Sequence, residues 1–292
     1  IAQKVDFYPG GYDARGGQSL SGLIDVYTKD GNFKHSETEL DANLTELNIY
    51  HTSPIQKDKS TTMISYRRTY YDLFSPLFVS SDSGPVNMPY LESFQGKYTH
   101  KLDRNNKLKL NYYYFNEGAD MPLNAFAPDS EGDMIYDTRR DIISTQLETV
   151  INKQVLNNMM LAYYLNKGNY KLTSENKIDA NWSEANIIFR DDLTWDIHPK
   201  HKFEMGGIYY DVKNNSSSTV TLPPNPYERG SVTTNITSNI DIPFLLTSVY
   251  IQDNWKVTEK GTLMAGLRGD FTKVGEFSWK KNIQPRLSFE YQ

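Results

Sequence analysis

A close pair of histidines, a short run of alternating acids and two segments carrying tyrosine and arginine are the residues of this chain whose types and spacing could do chemistry. His198 and His201 frame an HPKH turn. Imidazole is a common metal ligand, but no third ligand stands at a recognisable spacing, and Pro199 marks an ordinary tight turn. Asp129, Glu131 and Asp133 alternate as calcium-binding oxygens do, yet the twelve-residue loop pattern is absent. Asp191 and Asp192 are adjacent, so on a strand they point to opposite faces and cannot share a substrate. No G-x-S-x-G, H-E-x-x-H or phosphate-loop spacing occurs. These residues predict no enzyme, no catalytic group, no metal site and no cofactor. What remains is recognition. The segment 222–229, LPPNPYER, is stiffened by three prolines around Tyr227 and Arg229, and Phe126, Tyr136, Arg139 and Arg140 crown another long linker. Stiff loops with Tyr and Arg suit ligand contact. These six residues are the candidate ligand contacts, weighed against an ordinary solvated outer loop.

Composition narrows what could position them. The 292 residues include 38% hydrophobic and 13% aromatic residues, with 21 Tyr. That is a low apolar content for a large soluble core, and it suits strands with one wet face and one apolar face. No run of 18 apolar residues exists, which excludes a membrane helix. A membrane strand escapes that test, because only every second residue must be apolar. The net charge of -5, without a concentrated basic stretch, argues against a nucleic-acid partner. The absence of cysteine fits an oxidising compartment and removes any disulfide framework.

The elements alternate in their connections. Tight polar turns are expected at 55–59, 103–106, 156–158, 198–200 and 258–261, and longer linkers at 73–90, 116–141, 169–182 and 214–243. Up-and-down barrels of the outer membrane have short periplasmic turns and longer outer loops. Ten strands are expected, near 38–52, 60–72, 91–102, 107–116, 142–154, 159–168, 183–196, 201–213, 244–257 and 262–273, with an eleventh from about 282. Within 107–115, Leu108, Leu110, Tyr112 and Tyr114 oppose Lys107, Lys109, Asn111 and Tyr113. A Lys facing lipid at midplane costs about 2–4 kcal/mol, so the Leu face is the outer one. The same reading puts Val249 and Ile251 outside against Gln252 and Asn254, and Leu267 and Gly269 outside against Arg268 and Asp270. Asp191 and Asp253 fall on the lipid side, near the short-turn rim where acids cost little. The first strand slips phase between Leu44 and Leu47, which suggests a bulge. Tyrosines crowd the long-linker ends, as an interfacial girdle does.

The segment before the first strand differs. Val5 to Lys29 carries Pro9 and the glycines 10, 11, 16, 17 and 22 between two short apolar stretches. It resembles the end of the plug domain of TonB-dependent outer-membrane receptors, where a V-E-V-x-x-G strand leads to A-R-Y-G and then G-G-V-I-N-V-x-T-K. The matches are Val5, Asp6, Phe7 and Gly10, then Ala14, Arg15 and Gly16, then Ser21 to Val26 with Thr28 and Lys29; the departure is Arg15-Gly16-Gly17, where the family has an aromatic after the Arg. Tyr250 to Lys256 resembles the family's Y-x-Q-D-x-W strand, Gly266 to Asp270 its G-L-R-x-D, Pro285 to Ser288 its P-R strand, and Ser65 to Asp72 its S-x-R-R-x-Y-x-D stretch.

The resemblance implies an all-β, antiparallel up-and-down transmembrane barrel of the 22-stranded kind, with about half its strands here. Residues 1–33 would be the plug's C-terminal part, with Pro9, Gly10, Gly11, Arg15, Gly16, Gly17 and Gly22 as its motif, and 34–292 the first portion of the barrel. The chain reads as an excerpt. The implied activity is TonB-dependent uptake of a scarce nutrient, such as a ferric siderophore, cobalamin, a glycan or a peptide, across the bacterial outer membrane. The implied partners are outer-membrane lipid and lipopolysaccharide, the TonB energy-coupling complex through a segment outside this sequence, and the nutrient. Arg15 is expected to pair with a luminal acid such as Asp270 or Glu290. The alternatives are a soluble all-β binding module, with large apolar residues on both faces of some strands, and a passive porin-type barrel without a plug.

Overall fold

The structure, a computed structural model, describes residues 2–8, 13–17, 22–71, 87–125, 131–174, 176–224, 227 and 230–291. Two sheets form. β1 (Ala2–Tyr8) and β2 (Leu23–Thr28) make an antiparallel ribbon by themselves. The other twelve strands form one antiparallel sheet in strict chain order: β3 (Glu37–Ala42), β4 (Glu46–Gln56), β5 (Ser60–Thr69), β6 (Asn87–Lys101), β7 (Asn106–Pro122), β8 (Asp133–Asn152), β9 (Val155–Thr173), β10 (Lys177–His198), β11 (His201–Leu222), β12 (Thr234–Lys256), β13 (Gly261–Val274) and β14 (Lys280–Tyr291). The sheet is open, with β3 and β14 as its edges.

The expected alternation sets the two faces, and burial is inverted relative to a soluble protein. Thr99 is 0% and Gln252 2% exposed on the concave, luminal face, whereas Ile143 is 59% and Val249 50% exposed on the other. Thr52, Thr61, Lys97, Asn111, Arg268 and Asp270 share the luminal face through their registers. Apolar side chains in water cost about 25 cal/mol per Å², so an outer wall of Leu110, Ile143, Leu161, Ile187, Ile251 and Leu267 requires lipid. This overturns the soluble module, whose core would be the apolar face.

Three expectations are corrected. The strand expected at 38–52 is the hairpin β3–β4. The phase slip at Leu44 is its turn, where Asn43 Oδ1 accepts the backbone N–H of Thr45 and of Glu46 at 2.9 and 3.1 Å. Among the described residues the sheet therefore has twelve strands, one more than expected. The turn placed at 156–158 lies instead at 153–154, closed by Asn152 Oδ1 and the Gln154 N–H at 2.8 Å. Asn157 and Asn158 resemble turn residues but sit within β9, where Asn157 donates to Asp191 Oδ1 at 2.6 Å and Asn158 accepts from Gln146 at 2.8 Å.

Three of the long linkers, 116–141, 169–182 and 214–243, are mostly strand. β9 and β10 run to a connection at 174–176, and β11 and β12 to one at 223–233. β12 has 23 residues. At about 3.4 Å per residue and a tilt near 40°, it rises about 55 Å, roughly twice the ~25 Å apolar band of such barrels. Beyond that band both faces are wet, so the apolar–polar alternation disappears. The hydrogen-bond ladder continues regardless, as Ser216↔Ile240, Ser218↔Ser238 and Val220↔Ile236 show.

Candidate functional site

The segment before β3 is turned against the luminal wall and held at two places. The first is a strap at residues 13–17. The Ala14 N–H donates to Gln252 Oε1 at 2.7 Å. Arg268 Nη1 donates to the carbonyl oxygens of Ala14 and Arg15 at 3.2 and 3.3 Å. β12 and β13 place Gln252 and Arg268 side by side because both occupy luminal positions. Neighbours fix each of them. Arg268 Nε donates to Asp270 Oδ1 at 2.8 Å, and Gln284 donates to Asp270 Oδ2 at 2.6 Å. Gln252 Nε2 donates to Glu204 Oε2 at 2.7 Å, and Asn254 donates to the same oxygen at 2.8 Å.

Small residues make the close approach possible. Ala14 is fully buried, and a Cβ at Gly266 would lie 2.8 Å from the Ala14 Cβ. A Cβ at Gly17 would run into the Arg268 guanidinium. The Gly16 N–H is taken by Asp13 Oδ1 at 3.0 Å, which shapes the turn.

Arg15 does not reach Asp270 or Glu290. Its Nη2 donates to Asp25 Oδ2 at 2.8 Å and to the Tyr27 hydroxyl at 3.3 Å, both on β2. Asp270 is already held by Arg268, so the expected pairing is corrected: the charge of Arg15 is settled within the segment, and the wall grips backbone. Burial pulls the Arg15 pKa down, but Tyr27, Asp13 and Asp25 outweigh it and hold the group charged. A polar cavity of about 160 Å³ lies between strap and wall, bordered by Arg15, Asp25, Arg190, Asp192 and Tyr250. Asp192 there accepts from Arg190 at 2.6 Å and from Tyr250 at 2.7 Å.

The second hold is at 28–33. Lys97 Nζ donates to Thr28 Oγ1 at 2.6 Å and Thr28 O at 3.1 Å, and Thr99 donates to Asp30 O at 3.2 Å. Thr61 donates to Asn32 O at 2.6 Å, and the Asn32 N–H donates to Thr52 Oγ1 at 2.8 Å. Gly31 takes φ +95°, open to glycine, between Thr52 and Thr61. Asp30 meets Lys109 at 3.0 Å, Lys97 at 3.4 Å and Lys107 at 3.6 Å, and Glu148 balances Lys109 and Lys107. Burial raises the Asp30 carboxyl, but the three ammoniums, Lys109 foremost, bring it below its ordinary value.

The candidate ligand contacts separate. Tyr136 and Arg140 lie on β8 rather than in a loop, face the lumen and share Glu117 Oε1, at 3.1 and 2.6 Å. Arg139 is their neighbour on the opposite, outer face. It holds Asp141 at 2.8 and 3.1 Å and lies 5.2 Å from the Tyr114 ring centroid. The structure therefore does not bring Arg139 together with Tyr136 and Arg140. Tyr227 is 98% exposed. Phe126, Arg229, Pro9, Gly10 and Gly11 lie outside the described residues, as does Asp129. His201 pairs with Asp253 at 2.7 Å and stacks on Trp255 at 5.6 Å, which accounts for an acid on the lipid side.

The residues that hold the segment were present in the sequence motifs without a role. Gln252 belongs to the Y-x-Q-D-x-W stretch and Arg268 to G-L-R-x-D. Their luminal parity was the available signal. Lys97, Thr99, Asp30 and Gly31 had none beyond parity and a turn.

An inside-out antiparallel wall with a preceding segment pinned to its concave face defines part of an outer-membrane β-barrel. The chain matches the TonB dependent receptor-like β-barrel family over residues 10–292 and belongs to it. It is an outer-membrane protein, and the family is one of transport receptors. The siderophore receptor PiuA from Acinetobacter baumannii has a similar fold, with a TM-score of 0.68 at 15% identity over 99% of this chain and 51% of that one. The alcaligin outer-membrane receptor FauA from Bordetella pertussis gives 0.65 at 15% identity over 100% and 47%. The copper transporter OprC gives 0.69 at 10% identity over 98% and 47%. The chain thus spans about half the length of these structures. No curated protein sequence matches it.

Proposed function

We propose that the chain is the plug tail and first barrel portion of a receptor that takes up a scarce nutrient across the outer membrane, driven by the TonB complex. The observation that carries this is the strap: Ala14 and Arg15 are held on the luminal wall by Gln252 and Arg268. A passive pore needs an open lumen, whereas a gated receptor needs a segment in the lumen that is held by breakable bonds. The neutral bond from the Ala14 N–H is worth about 0.5–1.5 kcal/mol net and each bond from the Arg268 guanidinium about 1.5–3 kcal/mol, firm together and releasable in sequence. Residues 1–33 are the plug's last part in this reading, and 34–292 belong to the barrel. The protein performs no covalent chemistry.

The nutrient class best supported is a metal chelate. Proteins of similar fold include a siderophore receptor, an alcaligin receptor and a copper transporter. Tyr136, Arg140, Tyr164 and Trp182 on the luminal side of β8–β10 offer aromatic and cationic contacts for such a ligand. Phe126, Tyr227 and Arg229 belong to the outer loops of the same site. Lipopolysaccharide, membrane lipid and the TonB complex are its partners.

The test is growth of a strain deleted for the full-length gene, on a panel of ferric chelates as sole iron source. Complementation should restore growth on at least one chelate, and loss of TonB should abolish it. Growth that persists without TonB would favour the passive pore.

A further inference from the structure

The alternation that fades beyond the apolar band returns near the top of the wall with the opposite sense. Met134, Leu172, Ile178, Val220 and Ile236 are successive register partners on β8, β9, β10, β11 and β12. Strand parity puts them on the luminal face, with Tyr136 and Arg140 on β8 and Trp182 on β10. One aliphatic side chain per strand thus makes an unbroken row, about 19 Å wide at ~4.8 Å per strand. On β9 to β12 the flanking positions point outward and are polar. They satisfy one another: Lys171 meets Asp179 at 3.7 Å, the Thr219 and Thr237 hydroxyls lie 3.2 Å apart, and Thr221 donates to Asn235 at 2.8 Å.

Lipid does not account for this row, which faces away from the bilayer. From Ile143, in the outer apolar belt, to Met134 is about 30 Å along β8. Water does not account for it either. Ile236 is 54% exposed, and apolar surface left in water costs about 25 cal/mol per Å². Among the described residues of these five strands, no charged side chain points inward between the row and the level of Trp182. The first inward charges below that level are Arg140 and Glu184. Arg140 donates to Glu117 at 2.6 Å, and Glu184 accepts from Asn186 at 2.7 Å. The inner wall of the vestibule is therefore graded, aliphatic and uncharged at the top and charged about 20 Å lower along the strand.

We propose that the row binds an apolar arm of the transported ligand, so that the nutrient is an amphipathic chelate. Its polar, metal-bearing head sits lower, against Tyr136 and Arg140, and an uncharged alkyl or aryl arm lies across Leu172, Ile178 and Val220. This rests on the uptake reading above and narrows its substrate class. The gradient of charge fixes the orientation. A charged group at the level of the row would lose hydration without gaining a partner, whereas an apolar arm covers surface that is otherwise wet.

The test uses the full-length receptor. The probes are N-decanoyl derivatives of a ferric trihydroxamate, a ferric catecholate and a ferric citrate chelate, each beside its unacylated parent. Ile178→Cys should react with a membrane-impermeant maleimide on intact cells. At least one acylated probe should bind tenfold or more tightly than its parent and protect position 178 from the label. Ile178→Asn with Val220→Asn should remove the advantage of acylation and leave binding of the parents within about twofold. Thr219→Asn, on the outward face, should change neither. Heat-modifiable migration reports folding of every variant. A position 178 that never labels would show that the rest of the receptor covers the row. A gain from acylation below about twofold with all three chelates would show that no arm docks there. Either result overturns the proposal, while TonB-dependent growth on an unacylated chelate would leave the uptake reading standing. Absence of TonB-dependent growth on every chelate would overturn both.

Discussion

Arg268 grips the carbonyl oxygens of Ala14 and Arg15 while its own Nε is spent on Asp270, so one buried guanidinium joins the strap to the barrel wall across 254 positions of sequence. Arg268 is 3% exposed and Asp270 8%. Removing one partner of a buried pair costs about 3–5 kcal/mol, because the other charge is left uncompensated. Arg268→Ala in the full-length receptor should therefore abolish hydrogen-exchange protection at residues 13–17 and lower overall stability. Adding Asp270→Ala should recover part of the loss. A double substitution as costly as the sum of the two singles would argue that the residues act separately.

Gly17 is required by the same guanidinium. A side chain there meets Arg268, which is tethered to Asp270 and has little room to move. Gly17→Val should destabilise the strap by about 1–3 kcal/mol through overpacking. In an Arg268→Ala background the same substitution should cost clearly less. Equal costs in both backgrounds, measured by thermal unfolding, would remove the steric argument.

The hold at Asp30 should be acid-sensitive. The Asp30 carboxyl lies below its ordinary value in the folded protein, so its contribution is fully present above the unfolded-state carboxylate value of about 3.9. It is lost as pH falls through the lower folded value, when the proton cancels its attraction to Lys109, Lys97 and Lys107. Exchange protection at residues 28–33 should fall steeply on acidification through that range in the wild type. In Asp30→Asn the protection should start lower and vary little with pH. An identical pH profile in both proteins would show that other acids control the segment.

The outer face should reject charge. Val249 lies in the apolar band and is half exposed. Val249→Arg should reduce the stability of the full-length barrel in phospholipid bilayers by about 2–4 kcal/mol. Urea unfolding from vesicles measures this directly. A change below about 1 kcal/mol would mean that Val249 does not face the membrane.

Strand parity was legible wherever one face meets lipid and the other water. Leu108 and Leu110 against Lys107 and Lys109 is such a stretch, and Val249 and Ile251 against Gln252 is another. Parity failed where that contrast is missing. Ser216 to Thr219 lies in a strand beyond the band, with small polar residues on both faces and no period to read. Leu44 broke the period because the chain reverses at Asn43 to Thr45. Tyr136, Arg139 and Arg140 looked like one recognition cluster, and the ladder of β8 divided them between lumen and exterior.

By itself the sequence determined which side chains face lipid and which face water in the membrane-crossing parts of β4 to β14, because a period of two is imposed locally by the strand and its two solvents. It also carried the family motifs in order. Only the tertiary structure decided what Gln252, Arg268, Lys97 and Asp30 do. Their partners lie 67 to 254 positions away and are chosen by strand register and by where the strap lands on the curved wall. Nothing in local periodicity encodes that landing. It follows from the fit of Ala14 and Gly17 against Gly266 and Arg268, a match of surfaces that exists only after the sheet has curved around them.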